Sequence, residues 1–234
     1  GWIIVYAILR KTIRTKEDIR NILNQHCIGV LPQVVFKKYR RQINTDIIIT
    51  NPLIGNDFLE SLRLLRTSIQ KHITDDTKVI VITSTVPDEG KSVVTANLAS
   101  IFAKNENRIL VVDCDLRDSG IKELICESDQ KNDVIKSTAV YEIRHIKDLG
   151  FDFLSFTNGE INLKRVIRTD NLKTLFAEIK NDYDLVFVDT PPCGIISDAT
   201  IVAGVADAAI YVIRQDTVMQ TSIRTGISSM LETE

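Results

Sequence analysis

The residues best suited to chemistry are Gly90, Lys91 and Ser92, followed along the chain by Asp113, Asp115 and Asp189. A β-branched apolar run, Val79-Ile80-Val81-Ile82, precedes the first group, and a helical pattern runs from it to about Lys104. Strand, turn, Gly-Lys-Ser and helix is the layout of a loop that cradles phosphate. Backbone N–H groups and the positive helix end hold oxygens, Lys91 reaches the outer phosphates, and the Ser92 hydroxyl suits Mg²⁺. Pro87, Asp88, Glu89 and Val93 complete the candidate nucleotide-binding set. The strict spacing asks for Gly six positions before Lys91, where Thr85 stands. An ordinary strand-to-helix turn with an exposed lysine is the plainer alternative.

The carboxylates come after two further apolar runs. Ile109-Leu110-Val111-Val112 ends in Asp113-Cys114-Asp115, and Leu185-Val186-Phe187-Val188 ends in Asp189-Thr190-Pro191-Pro192. In an open parallel sheet, ligands bind outside the carboxyl ends of the strands. Three aspartates beside a bound phosphate would repel it unless a cation lay between them. Lys91, Asp113, Asp115 and Asp189 are therefore the candidate catalytic residues, with Ser92, Asp115 and Asp189 facing the metal. Each acid alone could be no more than a helix cap after a strand.

The elements that must position these groups alternate from residue 78 onward. Strands are expected at 78–84, 108–113, 151–155, 184–189 and 207–213. Helices are expected at 91–104, 118–126, 163–181, 196–205 and 217–232. This predicts an α/β fold of the P-loop NTPase type, with a mainly parallel sheet covered by helices on both faces. The charged stretch 127–137 reads as an exposed loop. Before the strands, Asn56 or Asp57 can cap a helix reaching about His72, with an apolar stripe of Phe58, Leu62, Leu65 and Ile69.

The N-terminal region differs in character. Residues 1–41 carry nine Lys and Arg against Glu17 and Asp18, on a chain whose overall formal charge is −2. Such a balance offers no bulk affinity for nucleic acid, while the basic arm suits an anionic surface such as an inner leaflet. A solvated tail is the alternative. Gly1 to Leu9, GWIIVYAIL, is too short to span a bilayer, yet Arg10, Lys11, Arg14 and Lys16 come directly after it. Residues 1–12 therefore read as the cytoplasmic end of a transmembrane helix. Residues 13–54 read as a juxtamembrane segment and linker, with a helix capped by Thr15 that continues to about His26. A short strand is expected at Ile28–Leu31, and an extended piece at Ile47–Ile49. Residues 55–234 form the main domain. The four cysteines have no metal-ligand spacing and read as reduced thiols. The chain lacks an initiator Met and stops inside its last expected helix, which reads as a fragment.

The motifs together resemble the bacterial tyrosine kinases of exopolysaccharide and capsule synthesis, relatives of the MinD/ParA ATPases. The first motif resembles Ser84-Thr85-Val86-Pro87-Asp88-Glu89-Gly90-Lys91-Ser92. The second, D-x-D-x-R, is matched by Asp113, Asp115 and Arg117, and the third, D-x-x-P, by Asp189 and Pro192. An E-x-x-R-x-x-R oligomerisation motif is matched by Glu60, Arg63 and Arg66. Val86 stands where MinD and ParA proteins carry a signature lysine, which favours the kinase branch.

The resemblance implies an ATP- and Mg²⁺-dependent protein-tyrosine autokinase. It further implies a homo-oligomeric ring built through the Glu60-Arg63-Arg66 helix, the cytoplasmic side of the inner membrane as location, and partners in polysaccharide polymerisation or export and a phosphotyrosine phosphatase. In that family's terms Asp113 helps activate the attacking tyrosine hydroxyl, while Asp115 and Asp189 position the metal and its waters. The match departs from the pattern at several points. Asp88 stands where the family has Gly, the proline after Arg117 is absent, the N-P pair expected after Gly159 is absent, and there is no tyrosine cluster after Tyr211. A P-loop ATPase switch and a degenerate scaffold are the rival readings.

Overall fold

In a computed structural model, the described residues are 12–36, 46–105, 107–115, 120–126, 133–167, 171–194 and 198–231. Most of the segment read as a transmembrane end, together with Arg117 and the basic cluster at 37–41, lies outside them. Among the described residues, no helix is long and apolar enough to cross a membrane.

The core of the molecule is one seven-stranded sheet. Its strands are β1 (Val79–Ser84), β2 (Ile109–Asp113), β3 (Asp133–Ser137), β4 (Tyr141–Ile146), β5 (Phe151–Phe156), β6 (Leu185–Asp189) and β7 (Ala208–Val212). They lie in the order β3-β4-β5-β2-β6-β1-β7. From β5 to β7 all pairings are parallel, as the alternation of strands and helices predicts. The period-2 geometry of a strand then divides each apolar run between two faces. Ile80, Ile82, Val111 and Phe187 face one core, whereas Val79, Val81, Val112 and Val188 face the other.

The antiparallel end corrects part of the expectation of an exposed loop at 127–137, of which 127–132 lie outside the described residues. Residues 133–137 form β3, which pairs with β4, and β4 pairs with β5. All five β3 residues are exposed, so no buried face marks the strand in the sequence. β4 alternates buried Tyr141 and Ile143 with half-exposed Glu142 and Arg144.

Among the described residues, two helices precede the sheet: α1 (Lys16–Leu23) and α2 (Asn56–His72). Thr15 caps α1 with a reciprocal pair. Its hydroxyl accepts from the Asp18 N–H, and the Asp18 carboxylate accepts from the Thr15 N–H at 2.9 Å. The helix ends at Asn24, in the left-handed region, short of the expected His26. Ile28–Leu31 is not a strand. It has no strand partner, and Ile28 and Leu31 instead pack against the core beside α2. α2 starts from Gly55, with neither Asn56 nor Asp57 as a side-chain cap. Phe58, Leu62, Leu65 and Ile69 are all buried, each worth roughly 1.5–3 kcal/mol.

The remaining helices are α3 (Lys91–Ala103), α4 (Gly120–Cys126), α5 (Glu160–Ile167), α6 (Asn171–Asp182), α7 (Asp198–Ala203) and α8 (Gln220–Leu231). The single helix expected over 163–181 is therefore two. The N-terminal arm lies on the loop between β7 and α8. Thr12 bridges to Met219, the Ile13 carbonyl accepts from the Asp216 N–H at 2.9 Å, and the Arg14 carbonyl accepts from the Gln215 amide at 2.9 Å. Ile13 and Leu23 pack there with Val218 and Ile223, and Val86 borders the same cluster.

Candidate functional site

The site is built where β1 gives way to α3. After Ser84 the chain turns through 85–90 and enters α3 at Gly90, whose φ of 93° is open to glycine and strained for other residues. No side chain caps α3, so its first N–H groups are left for another acceptor. A Cβ added at Gly90 would meet nothing within 4 Å, so the mouth of the loop is open.

Thr85, the apparent flaw in the motif, points inward. It is 3% exposed, and its hydroxyl lies 3.0 Å from the Tyr211 hydroxyl on β7. Its carbonyl is approached so closely by Gly194 that a Cβ there would stand 2.5 Å from it. Permissive backbone is thus needed at 194, across from the loop, while position 85 tolerates a side chain.

Asp88 takes a φ of 62°. The loop needs a left-handed residue there, and aspartate is among the few non-glycine residues that adopt this region at modest cost. Its side chain is exposed, as is Pro87. Glu89, also in the candidate nucleotide-binding set, is placed differently from Pro87 and Asp88. It is 5% exposed and turned into the loop, where one carboxylate oxygen accepts from the N–H groups of Thr85 at 2.7 Å and Val86 at 2.9 Å. The other oxygen accepts from the Arg214 N–H at 3.2 Å. Burial pushes the Glu89 pKa up despite these three donors.

The predicted catalytic residues converge. Asp113 and Asp189 are register partners at the carboxyl ends of β2 and β6. The Lys91 ammonium lies 3.4 Å from Asp115, with both side chains almost wholly buried. The Asp115 N–H donates to Asp113 at 3.0 Å. Ser92 donates to Asp189 at 2.7 Å. Thr95, absent from the sequence-based set, reaches Asp189 at 3.3 Å. Its spacing of one helical turn from Lys91 is the signal that could have found it. Burial drives the Asp189 pKa up to about 7, and the Asp113 and Asp115 charges add to the rise against the Ser92 hydrogen bond and Lys91.

Three carboxylates around one lysine leave an excess of negative charge in a buried place. The donors are hard oxygens with one helix-terminal hydroxyl, which fits Mg²⁺. Among the described residues, no group of three or more His, Cys, Asp or Glu could hold a metal by itself. A cation here takes further oxygens from elsewhere, and phosphate is the natural source. Val93 is half-buried on the first turn of α3.

The oligomerisation set divides. Glu60 and Arg63 pair with each other on the exposed face of α2, while Arg66 turns toward α3 and donates to the Ile101 carbonyl at 3.3 Å.

A mainly parallel sheet with a Gly-Lys-Ser loop at the carboxyl end of an interior strand, and aspartates closing β2 and β6 beside it, defines a nucleotide-binding protein of the P-loop class. Residues 77–233 match the family described as AAA domain, and the chain belongs to that family. It is similar to the tyrosine-protein kinase etk of Escherichia coli K12, at 26% identity over 246 residues, covering 92% of this chain and 32% of the relative. It is also similar to the putative tyrosine-protein kinase AmsA of Erwinia amylovora, at 30% identity over 237 residues, covering 93% of this chain and 32% of the relative. The chain thus spans about a third of the length of these curated relatives. Among solved structures, the BceF tyrosine kinase domain superposes with a TM-score of 0.76 at 24% identity, covering 95% of each chain.

Proposed function

We propose that this chain is the nucleotide-binding kinase part of a membrane-linked bacterial protein-tyrosine autokinase that uses MgATP and regulates exopolysaccharide or capsule synthesis and export. The convergence of Lys91, Asp115, Ser92 and Asp189 on one buried spot beneath an open phosphate loop carries the reading. The names of the relatives supply the reaction class.

Each residue has its own share of the work. The first N–H groups of α3 and the Lys91 ammonium hold the outer phosphates in place. When nucleotide enters, Lys91 exchanges its contact with Asp115 for a phosphate oxygen, at little cost in burial. Ser92 and Asp189, with Asp115, would hold Mg²⁺, which supplies neutralisation of phosphate charge. Asp113 accepts the proton of the attacking tyrosine hydroxyl, whose ordinary pKa is about 10. In a loose transition state that proton need not leave early, so a carboxylate of ordinary basicity is sufficient.

Exposed Leu64, beside Glu60 and Arg63, supports a helix face available to a second copy, as a ring would require. The basic N-terminal arm supports placement at the cytoplasmic side of the inner membrane. The polysaccharide machinery and a phosphotyrosine phosphatase enter as partners on the same reading.

The experiment is to give the full-length protein MgATP and measure phosphotyrosine. Phosphotyrosine that disappears with Lys91→Met supports the kinase. ATP hydrolysis with no phosphotyrosine identifies a P-loop ATPase switch instead, and no binding of Mg-ADP at millimolar concentration identifies a scaffold.

A further inference from the structure

We propose that Glu89 is a positioning residue of the phosphate loop, acting through backbone amides and seconded by Arg214, so that the loop is held in its binding shape before nucleotide arrives. The proposal rests on the nucleotide reading and gives a purpose to a buried acid which that chemistry does not use.

A phosphate loop must present its N–H groups outward, and such a loop has few internal hydrogen bonds to hold it. Here the Glu89 carboxylate supplies them from inside. It accepts from the N–H groups of Thr85 and Val86, the first two residues after β1, at 2.7 and 2.9 Å. The turn from 85 to 89 is thereby closed by a side chain on its own last limb. The third donor is the Arg214 N–H, from the segment just past β7. β7 is the register partner of β1 from Ile80 to Ser84, so this donor stands on a rigid neighbour.

The Arg214 side chain completes the arrangement from outside. Its guanidinium donates to the Asp88 carbonyl at 3.1 Å. Asp88 is the one loop residue between 85 and 89 with a positive φ, and fixing its carbonyl fixes the peptide that a left-handed residue would otherwise be free to flip. Asp88 and Glu89 are thus gripped by one residue, Arg214, on opposite sides of the loop. A carboxylate that accepts three N–H groups fits this task, because charge-assisted acceptors are stronger than neutral ones. Glutamine, with one oxygen in place of two, would turn an NH₂ group against at least one of the same donors.

The grip is distinct from ligand contact. Glu89 is almost fully buried, and its two oxygens are spent on the loop and on the Arg214 N–H beside it. It raises affinity by lowering the cost of ordering the loop, which is preorganisation.

Two measurements on the chain test this. The first needs no nucleotide: backbone amide exchange at Thr85 and Val86, read by NMR. Both amides are expected to be protected in the native protein and to exchange at least about tenfold faster in Glu89→Gln. Unchanged protection in that variant overturns the proposal. The second is Mg-ADP affinity by calorimetry. Glu89→Gln is expected to weaken it by about tenfold and Arg214→Ala by about threefold, with Arg214→Lys restoring most of the latter loss. In the kinase assay both variants raise KM for ATP more than they lower kcat. A fall in kcat alone, with Mg-ADP affinity intact, assigns Glu89 to the chemical step and overturns the proposal. If the native chain binds no Mg-ADP, the nucleotide reading fails while the exchange result still decides whether Glu89 braces the loop.

Discussion

The two ends of the sheet use the same residue in opposite circumstances. At the amino ends of the parallel strands, aspartates serve the fold. Asp207 accepts from the N–H groups of Lys78 and Val79, where β1 begins, and pairs with Lys180 at 2.8 Å. Asp184 accepts from the Arg108 N–H just before β2, and Asp152 takes the Tyr183 hydroxyl at 2.8 Å. At the carboxyl ends, Asp113, Asp115 and Asp189 are 2% exposed or less, and Asp115 pairs with Lys91. Partial burial pushes the Asp207 pKa up, but hydrogen bonds from Lys180 and the two backbone N–H groups outweigh it and hold the carboxyl below its usual range. Asp189 moves the other way, to about 7, because burial and the Asp113 and Asp115 charges outweigh the Ser92 hydrogen bond and Lys91. One end spreads its charge along partly exposed structural contacts, and the other gathers it in one buried cluster.

The sharpest attempt to break this contrast is Asp189→Asn. Mg-ADP affinity is expected to fall by about 100-fold, while the nucleotide-free protein becomes more stable, with Tm up on the order of 5 °C near pH 8. The sign comes from linkage. A carboxyl whose folded pKa is raised costs nothing below its unfolded value of 3.8, destabilises progressively as pH rises from there to about 7, and carries its full cost above that. The gain in Tm is therefore full above about pH 7, shrinks as pH is lowered and closes at about pH 4. A variant that loses both affinity and stability would erase the distinction between the two ends.

Asp207→Asn probes the other end and is expected to behave in mirror image. Stability drops by about 1 kcal/mol at neutral pH, allowing for partial solvent screening, with Mg-ADP affinity unchanged. Because the Asp207 pKa is lowered in the fold, its contribution is present above the usual carboxylate range and is lost as pH falls below it. Chemical denaturation of the two proteins across acid pH should show their midpoints converging. The smallest effect is expected for Asp88→Gly, which relieves a left-handed aspartate and removes an acid from the mouth of the phosphate site. It should raise Mg-ADP affinity about fivefold and stability by about 1 kcal/mol.

The carboxyl-end cluster was legible in the sequence because a parallel sheet leaves little choice. Runs at 79–82, 109–112 and 185–188 must be central strands, and the residues just past each run must meet at one end of the sheet. Lys91, Asp113, Asp115 and Asp189 were found on that ground. Glu89 was found as a member of the motif without its neighbours, since the sequence does not say which way a loop side chain turns. Arg214 lies 125 residues from Glu89, and no local pattern joins them. β3 escaped for a different reason: a strand exposed on every residue leaves no alternation to read. The docking of Thr12 to Arg14 on the β7–α8 loop combines main-chain groups with the side chains of Gln215, Asp216 and Gln220, about 200 residues away, and no local pattern marks it.

Cys193 has a practical consequence. Its thiol sits beneath the phosphate loop, 3.3 Å from the Ser84 carbonyl and 3.3 Å from the Tyr211 hydroxyl, and burial pushes its pKa up. In that place it is neutral and shielded, and an alkylating reagent must wait for the floor to lift. The rate of its modification, resolved by peptide mass from the half-exposed Cys27, is a clock for that event. Whatever clamps the loop slows the clock, so the molecule carries its own stopwatch for the opening of its binding site.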